Sequence, residues 1–226
     1  MIYALKIAAV VIGSYLFGNI NPALIISKLK KQDIRKMDSG NPGSMNMFRN
    51  YGVVLGVVTL LCDAIKGAIP CILGWWLLGD EFRFSPDRFG LYLGGFCVIL
   101  GHIFPVFLKF KGGKGIASSI GVCLVADPIV TLITFVIGVI FILITKMGSI
   151  TSFIIISIPL AIEGLKVSSS VNGYIAVVQL LLIFALFSLT LFAHRKNVVK
   201  LFTGKESKTV LFGKNKSAKK NKSVSK

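Results

Sequence analysis

Pro128–Thr145 reads PIVTLITFVIGVIFILIT and contains no charged side chain. Apart from three threonines and one glycine it is wholly apolar, so it has no polar face to turn towards water. The hydrocarbon core of a bilayer is about 30 Å thick and is crossed by about 20 mostly apolar helical residues. This stretch therefore predicts a membrane-spanning helix and assigns the chain to the integral membrane proteins.

Similar apolar segments recur along the 226 residues, of which 54% are hydrophobic and only 15% charged. So few charges cannot cover a soluble domain of this length, and such high hydrophobicity excludes intrinsic disorder. We predict an all-α, polytopic membrane helical bundle with seven transmembrane helices. The predicted spans are Ile2–Ile26, Val53–Leu78, Phe89–Leu108, Gly115–Ala126, Pro128–Thr145, Ser149–Leu165 and Gly173–Ala193.

The fourth segment, Gly115–Ala126, is short for a complete span. Its boundary with the fifth is Asp127–Pro128, a turn-forming pair in which the proline also lacks a backbone donor. If this pair only kinks one longer helix, six spans remain. The basic residues favour seven, because removing one span would place Lys146 or the C-terminal tail on the wrong side of the membrane.

Charge is distributed unevenly between the loops. The chain has 26 lysines and arginines against 9 acids, a net charge of +17, and 21 of the 26 basic residues fall on one predicted side. Basic residues are concentrated in cytoplasmic loops, so we expect the N-terminus outside and the C-terminus in the cytoplasm of a multi-pass protein of the cell membrane. A nucleic-acid-binding function fits less well, because the basic tail lacks interleaved aromatic residues for base stacking.

The two ends of the chain need separate interpretation. Met1–Leu16 contains Lys6 within its apolar stretch and lacks a small-residue cleavage site, so it is interpreted as a retained helix and not as a signal peptide. Residues 1–208 form the predicted membrane domain. Residues 209–226 are rich in lysine and are expected to be a disordered cytoplasmic tail attracted to anionic lipid.

The four cysteines lie singly in apolar segments, without CxxC or Cys/His spacing. We therefore predict no structural disulfide, no metal site and no cofactor. Their simplest interpretation is as small buried side chains.

Two polar loops stand out on the predicted cytoplasmic side. The first, Asp38–Arg49, reads DSGNPGSMNMFR, in which two glycines and their polar neighbours can turn backbone amides inward around an anion. Arg49 adds a planar, permanently charged group suited to phosphate. An ordinary turn is the alternative. The candidate residues of this loop are Ser39, Gly40, Asn41, Gly43, Asn46 and Arg49.

The second loop, Gly101–Gly115, reads GHIFPVFLKFKGGKG. Its glycines surround Lys114 just before an apolar helix, although the spacing is not that of a Walker A motif. Lysines in a loop are also explained by membrane orientation alone. Taken singly, each loop is therefore either part of a phosphate site or an ordinary connection. Together the loops favour a site for a phosphorylated ligand at the cytoplasmic interface. The candidates here are His102, Lys111, Gly112, Gly113 and Lys114.

Several polar residues are predicted within or beside spans. Asp63 and Lys66 share one helix face at i, i+3, and either one alone in hydrocarbon would cost about 2.5–3.5 kcal/mol. We interpret them as a structural or site-supporting pair. Asn19 and Asn21 are expected to face protein and not lipid. The trio that follows the last span, for which interfacial anchoring is the alternative, comprises His194, Arg195 and Asn197.

The chain resembles the bacterial acyl-phosphate:glycerol-3-phosphate acyltransferases, the PlsY family, from Tyr3 to about Lys208. The resemblance lies in GNINP at Gly18–Pro22, in the SGNPG loop, in Asp63 with Lys66, in the GHIFPVFLKFKGGKG string, in Ser149 and in AHRKN at Ala193–Asn197. Two positions depart from the family pattern, which usually has glycine where Asp38 stands and threonine or serine where Met45 stands.

The resemblance implies transfer of a fatty acyl group from acyl phosphate to the 1-hydroxyl of glycerol 3-phosphate. The products would be lysophosphatidic acid and phosphate, in the first step of phospholipid synthesis. The partners would be those two substrates, the lipid bilayer and the enzyme that produces acyl phosphate, without nucleic acid. No protein nucleophile is evident, so we expect direct attack by the hydroxyl group.

On this view phosphate groups are held by Ser39, Asn46, Arg49 and Lys111 or Lys114, and glycerol 3-phosphate is also held by Ser149, His194, Arg195 and Asn197. The general base is either His102 or the phosphate of the substrate. Acyl-CoA or acyl carrier protein remains an alternative donor. A transporter of a phosphorylated solute is the alternative from another class, although it would predict an internal repeat and polar groups on both sides.

Overall fold

The computed structural model describes residues 1–79, 88–171 and 173–204, and all regular structure in these ranges is helical. Two short 3₁₀ turns, Ile34–Lys36 and Val106–Leu108, lie in the connections. The α-helices are α1 (Ile2–Gly18), α2 (Pro22–Leu29), α3 (Ser44–Leu78), α4 (Phe89–Ile103), α5 (Ile116–Ala126), α6 (Pro128–Thr145), α7 (Gly148–Ser170), α8 (Gly173–Ala193) and α9 (Arg195–Phe202).

Six segments in the described part of the chain are long and apolar enough to cross a membrane. They are Ile2–Leu29, Ser44–Leu78, Phe89–Leu108, Pro128–Thr145, Gly148–Ser170 and Gly173–Ala193. Helix α5, the predicted fourth segment, is a separate element of 11 residues. At 1.5 Å per residue it is about 16 Å long, which is shorter than the hydrocarbon core. The multi-pass helical bundle predicted from the sequence is confirmed.

The first predicted span is not one continuous helix, whereas the predicted limits of the second agree with the structure. The first is interrupted after Gly18, because Pro22 cannot continue a helix and Asn21 caps a new one by accepting a hydrogen bond from the Leu24 amide at 2.9 Å. Helix α3 has an internal break at Gly52, whose φ is 83°, so a short helical segment from Ser44 precedes the uninterrupted helix that runs from Val53 to Leu78. Asn46 and Arg49 therefore lie on a helix and not in the predicted loop.

Contacts at both ends of the helices define the topology. Helices α4 and α5 run antiparallel, because the Gly113 amide donates to the His102 carbonyl at one end and Arg88 Nη1 donates to the Ala126 carbonyl at the other. The end that carries His102, Lys114, Ser149 and His194 is called the motif end. The end that carries Arg88, Ala126, Glu163 and Gln179 is called the salt-bridge end.

Glycines bring the backbones of α1, α3, α4 and α5 into direct contact. A methyl group added at Gly67 would collide with the carbonyl of Ser118, and one at Gly121 would collide with that of Ala64. The same holds at further positions of this glycine seam, namely Gly18, Gly74, Gly90, Gly94 and Gly101. Small residues at helix interfaces let membrane helices pack through their backbones, where no hydrophobic effect separates lipid from side chain.

The outer surface is apolar where lipid would surround it. Ile144 on α6 is 75% exposed and Phe184 on α8 is 67% exposed, whereas Leu91, Tyr92 and Val98 on α4 are fully buried. Helix α4 is thus the centre of the bundle. The motif end is built on its last turn and on the loop that follows.

Candidate active site

The loop before α3 is held by a buried amide. Asn46 is 1% exposed, and its Nδ2 donates to the carbonyls of Ile34 and Met37, both at 3.1 Å. Its Oδ1 accepts from Asn50 Nδ2 at 2.9 Å. The side chain predicted to bind phosphate therefore shapes the loop from within, and it does not present its amide to a ligand.

Arg49 and Asp38 form an ion pair across the mouth of this loop, with Nη1 and Oδ2 separated by 3.0 Å. Asp38 has a φ of 44° and Gly40 a φ of 68°. Both lie in the left-handed region that glycine adopts most easily, which explains why the PlsY pattern has glycine at the position of Asp38. Ser39 is exposed between them, with Oγ 3.5 Å from the Asn41 amide.

Asp33 starts the same connection and anchors Arg35. The Arg35 guanidinium donates to both carboxylate oxygens, at 2.7 Å to Oδ2 and 3.0 Å to Oδ1. These hydrogen bonds lower the pKa of Asp33 to about 2, helped by the backbone amide of Arg35. The guanidinium is therefore already paired with a carboxylate in this structure.

The glycine-rich loop folds back onto the end of α4. The amides of Gly112 and Gly113 donate to the carbonyls of Ile103 and His102 at 3.2 Å and 3.1 Å. A side chain at Gly113 would collide with His102 Nε2, so glycine is required for this close approach. Gly115, with φ 83°, then leads into α5. The fold places Lys114 just ahead of a helix N-terminus, as predicted.

Lys114 joins residues from two further helices. Its Nζ donates to Asn197 Oδ1 at 2.7 Å, and Asn197 Nδ2 donates to Ser149 Oγ at 2.9 Å. His194, 2% exposed, lies at the start of the same α9 turn. Three separate sequence motifs thus converge at the motif end. We call Lys114, Ser149, His194 and Asn197 the polar cluster.

The protonation of His194 follows from its surroundings. Nδ1 is 3.0 Å from the Thr190 carbonyl, which can only accept, so Nδ1 carries a proton. Burial lowers the pKa of His194 to about 4, and the charge of Lys114 lowers it further, against the opposing effect of the Thr190 hydrogen bond. The ring is neutral near pH 7, and Nε2 is the nitrogen with an available lone pair.

Two predicted ligands stay at the surface. Lys111 and Arg195 are exposed, and the Arg195 guanidinium lies over the Phe192 ring at 4.2 Å with Nη1 donating to the Phe192 carbonyl. These contacts hold the Arg195 guanidinium against the last turn of α8. Neither side chain belongs to the polar cluster as the structure stands.

Asp63, Lys66 and His102 lie below the glycine-rich loop, each no more than 4% exposed. The expected Asp63–Lys66 pair is present at 2.9 Å, and Lys66 Nζ is also 2.8 Å from His102 Nδ1. Asn19 and Asn21, each 6% exposed, face protein as predicted. The candidate base His102 is therefore enclosed by protein groups on its Nδ1 side and by Gly113 on its Nε2 side.

The salt-bridge end holds a group of charged side chains from separate helices. Glu163, 2% exposed, accepts from Tyr92 Oη at 2.6 Å and pairs with Arg88 at 3.2 Å and with Lys166 at 3.3 Å. Lys166 also pairs with Asp127. We call Arg88, Asp127, Glu163 and Lys166 the salt-bridge cluster. The neighbouring residues Asp80, Glu81, Arg83 and Asp87 lie outside the described residues, as does the tail at 209–226.

Metal ligation is not suggested by the described ranges, in which no group of three or more His, Cys, Asp and Glu side chains converges. What the fold and these contacts define is a multi-pass membrane protein with a lysine-containing polar cluster, formed from separated motifs, at one end of its bundle.

Comparisons with known proteins identify the family to which this membrane protein belongs. Residues 8–204 match the family model described as glycerol-3-phosphate acyltransferase. A glycerol-3-phosphate acyltransferase of Finegoldia magna is 40% identical over 89% of this chain and 93% of its own. One of Thermoanaerobacter pseudethanolicus is 37% identical over 86% of this chain and 91% of its own.

Solved structures agree. The crystal structure of PlsY (YgiH), an integral membrane glycerol 3-phosphate acyltransferase, in its glycerol 3-phosphate form is 31% identical with a TM-score of 0.74, over 92% of this chain and 96% of that one. Its lysophosphatidic acid form gives a TM-score of 0.73. The chain belongs to the glycerol-3-phosphate acyltransferase family and is a PlsY-like acyltransferase of the bacterial cell membrane.

Proposed function

We propose that this enzyme transfers a fatty acyl group from acyl phosphate to the 1-hydroxyl of glycerol 3-phosphate. The hydroxyl oxygen forms an ester bond with the acyl carbon, and the bond between that carbon and the phosphate oxygen breaks. Phosphate leaves and takes up the hydroxyl proton, so the products are lysophosphatidic acid and inorganic phosphate. The glycerol 3-phosphate and lysophosphatidic acid forms of the solved PlsY relative support both the acceptor and the product.

The observation that carries this proposal is the convergence of Lys114 with polar side chains from two other helices at the motif end. The polar cluster joins the Lys114 ammonium to the neutral groups of Asn197, Ser149 and His194. The sequence has no acid between Arg88 and Asp127, between Asp127 and Glu163 or between Glu163 and Glu206, so the only charged side chains in the segments that contain Lys114, Ser149 and Asn197 are basic. Preorganised donors of this kind stabilise negative charge that develops during a reaction.

The two phosphates are assigned to two parts of the motif end. Lys114, Asn197, Ser149 and His194 hold glycerol 3-phosphate, with Nε2 of the neutral His194 accepting a hydrogen bond from a glycerol hydroxyl. The first loop holds the acyl phosphate through Ser39, Arg49 and the amides around Gly40, Asn41 and Gly43, while Asn46 maintains the shape of that loop. Lys111, Gly112 and Gly113 complete the approach to the site, and Arg195 attracts the anion from the surface.

The proton acceptor is the phosphate of the substrate in this proposal. His102 has Nδ1 facing Lys66 and Nε2 packed on Gly113, so a substrate hydroxyl would have to displace the loop to reach either nitrogen. A mixed anhydride is already activated, and orientation together with electrostatic stabilisation suffices for direct transfer. His102 instead supports the loop.

Seven membrane passes also belong to this proposal. Helix α5 connects the motif end to the salt-bridge end, since Gly113 contacts His102 while Ala126 contacts Arg88. If α5 is counted as a pass, the N-terminus and helix α9 lie at opposite ends of the bundle, with the basic residues of α9 at the motif end. The excess of basic residues then places the motif end in the cytoplasm and the N-terminus outside. Residues 1–208 form the membrane domain and 209–226 a basic tail.

The donor is the decisive measurement. Purified enzyme in detergent receives labelled glycerol 3-phosphate with acyl phosphate, acyl-CoA or acyl carrier protein carrying the same chain. Of the three reactions, we expect only the one that contains acyl phosphate to give labelled lysophosphatidic acid. That result would imply a partner enzyme that produces acyl phosphate. Product from a thioester donor only would contradict the proposed donor, and no product from any donor would favour a transporter or another activity.

Two further readouts use the same assay. An acyl-enzyme that accumulates with acyl phosphate alone would contradict direct transfer. His102→Asn, whose Oδ1 can still accept from Lys66, is expected to retain kcat within about tenfold, whereas loss of a general base costs about 10²–10⁴-fold. A loss of about 10²–10⁴-fold in kcat would instead identify His102 as the general base.

A further inference from the structure

Lys66 lies where three separated segments of the chain meet. Its Nζ is 2.7 Å from the Ile20 carbonyl, 2.8 Å from His102 Nδ1 and 2.9 Å from Asp63 Oδ1. The ammonium of Lys66 donates hydrogen bonds to the Ile20 carbonyl and to His102 Nδ1, and the Asp63 carboxylate balances its charge as an ion pair. Because the side chain is only 4% exposed, these protein groups take the place of the water that would otherwise solvate the charge.

The Ile20 carbonyl is available because the first span is interrupted. In a continuous helix the Leu24 amide would donate to the Ile20 carbonyl, but it donates to Asn21 Oδ1 instead. Lys66 replaces that donor. One ammonium on α3 therefore stabilises the helix break of the GNINP segment and makes the break part of the motif end.

The second acceptor leads towards the proposed site. Lys66 has no acceptor of its own, so it donates to His102 Nδ1, and the Nε2 edge of the ring packs on Gly113. The Gly113 amide is also bonded to the His102 carbonyl. Both sides of residue 113 are thus fixed by His102, and the next residue along the chain is Lys114, which contacts Asn197.

We propose that Lys66 is a positioning residue that acts through His102 and Gly113 to hold the Lys114 ammonium at the phosphate of glycerol 3-phosphate. This inference rests on the proposed function. It goes beyond the structural pairing of Asp63 and Lys66, because pairing alone predicts a loss of stability but no selective loss of acceptor binding. Lys66 touches neither substrate and takes no part in bond making.

The test removes the charge pair as a unit, so that no lone charge is left in the bundle. We expect Asp63→Asn/Lys66→Met to raise the KM for glycerol 3-phosphate about tenfold, while the KM for acyl phosphate changes less than twofold. Glu163→Gln is the matched control, because it removes a buried charge at the other end without touching the motif end. It should leave both KM values unchanged.

A double-mutant cycle separates positioning from stability. Groups that act through one another give strongly non-additive losses, so Asp63→Asn/Lys66→Met should cost less than threefold in kcat/KM when Lys114 is already methionine. Independent, additive losses would overturn the proposal. If the pair variant does not fold, Gly113→Ala supplies the same test, since its methyl group displaces the loop from His102 without removing a charge.

The outcomes also separate this inference from the proposed function. A wild-type enzyme that makes no lysophosphatidic acid from acyl phosphate contradicts the proposed function. An active wild-type enzyme with additive losses, or with equal changes in both KM values, contradicts only the positioning role of Lys66.

Discussion

The two ends of the bundle each gather cations from separate helices, but they balance them differently. In the salt-bridge cluster, Arg88 and Lys166 meet Asp127 and Glu163, so two positive groups face two negative ones. In the polar cluster, Lys114 meets the neutral side chains of Asn197 and Ser149 beside a neutral His194. The described contacts of the first cluster pair cations with carboxylates, and those of the second join a cation to hydrogen-bonding side chains.

That difference separates a structural role from a binding role. Buried ion pairs with matched charges hold helices together, and removal of one member leaves an uncompensated charge. A cation held in place by hydrogen-bonding side chains is oriented for an incoming anion. We therefore expect variants of the polar cluster to lower activity with little loss of stability. Variants of the salt-bridge cluster should lower stability with little loss of activity.

The largest effect is expected at the polar cluster. Lys114→Met keeps the length of the side chain but removes its charge, and kcat/KM for glycerol 3-phosphate should fall about 10²–10³-fold. The thermal midpoint should stay within about 2 °C, less than the shift expected from 1 kcal/mol in a protein of this size. Steady-state kinetics and thermal unfolding of the same preparation check both results. A loss below fivefold would contradict the role of Lys114.

The reverse pattern is expected at the salt-bridge cluster. Glu163→Gln leaves Arg88 and Lys166 with one acid between them, which should destabilise the protein by about 2–3 kcal/mol, reduced by the partial exposure of both cations. Specific activity below the transition should change less than twofold. The buried thiols of Cys71, Cys97 and Cys123 can report unfolding through their reaction with a dye.

The control for Glu163→Gln is Lys200→Gln, which removes an exposed charge and should not shift the midpoint. A Glu163→Gln enzyme with unchanged stability but impaired kinetics would reverse the comparison between the two ends.

The smallest effect concerns pH. The pKa of His194 is about 4 in the folded protein and near its ordinary value when unfolded, so the unfolded state binds more protons between about pH 6.5 and pH 4. Stability should be unaffected by this residue above pH 7 and should fall by about 1 kcal/mol by pH 5.5. Thermal midpoints of wild type and His194→Gln across this range measure the difference. An identical pH dependence would contradict a buried, neutral His194.

The sequence predicted the class of fold because apolar length alone identifies membrane helices, as Pro128–Thr145 illustrates. It also predicted the convergence of Lys114 with Ser149 and Asn197, through the resemblance to a family whose motifs lie far apart in the chain. The helix break was placed less well, since Asn19 and Asn21 were read within one continuous span although Pro22 marks its end.

Other features depend on tertiary contacts that no local pattern encodes. Asn46 looked like a ligand because amides bind phosphate, but its partners are carbonyls nine and twelve residues earlier in the chain. The buried Glu163 looked like a residue near a loop, and only the position of Tyr92 and Arg88 on another helix explains its burial. Pairs of this kind form because the packing of the whole bundle brings distant residues together. The residues near either partner in the sequence do not determine that packing.

The glycine seam has a mechanical consequence. Where backbones touch without intervening side chains, as at Gly67 with Ser118 and Gly121 with Ala64, one methyl group added at the glycine would force the two helices apart. Alternating access in transporters requires one half of a bundle to rock against the other. Rocking of this kind would separate the backbone contacts that join α1, α3, α4 and α5, so we expect substrates to reach the motif end by movement of its loops and side chains.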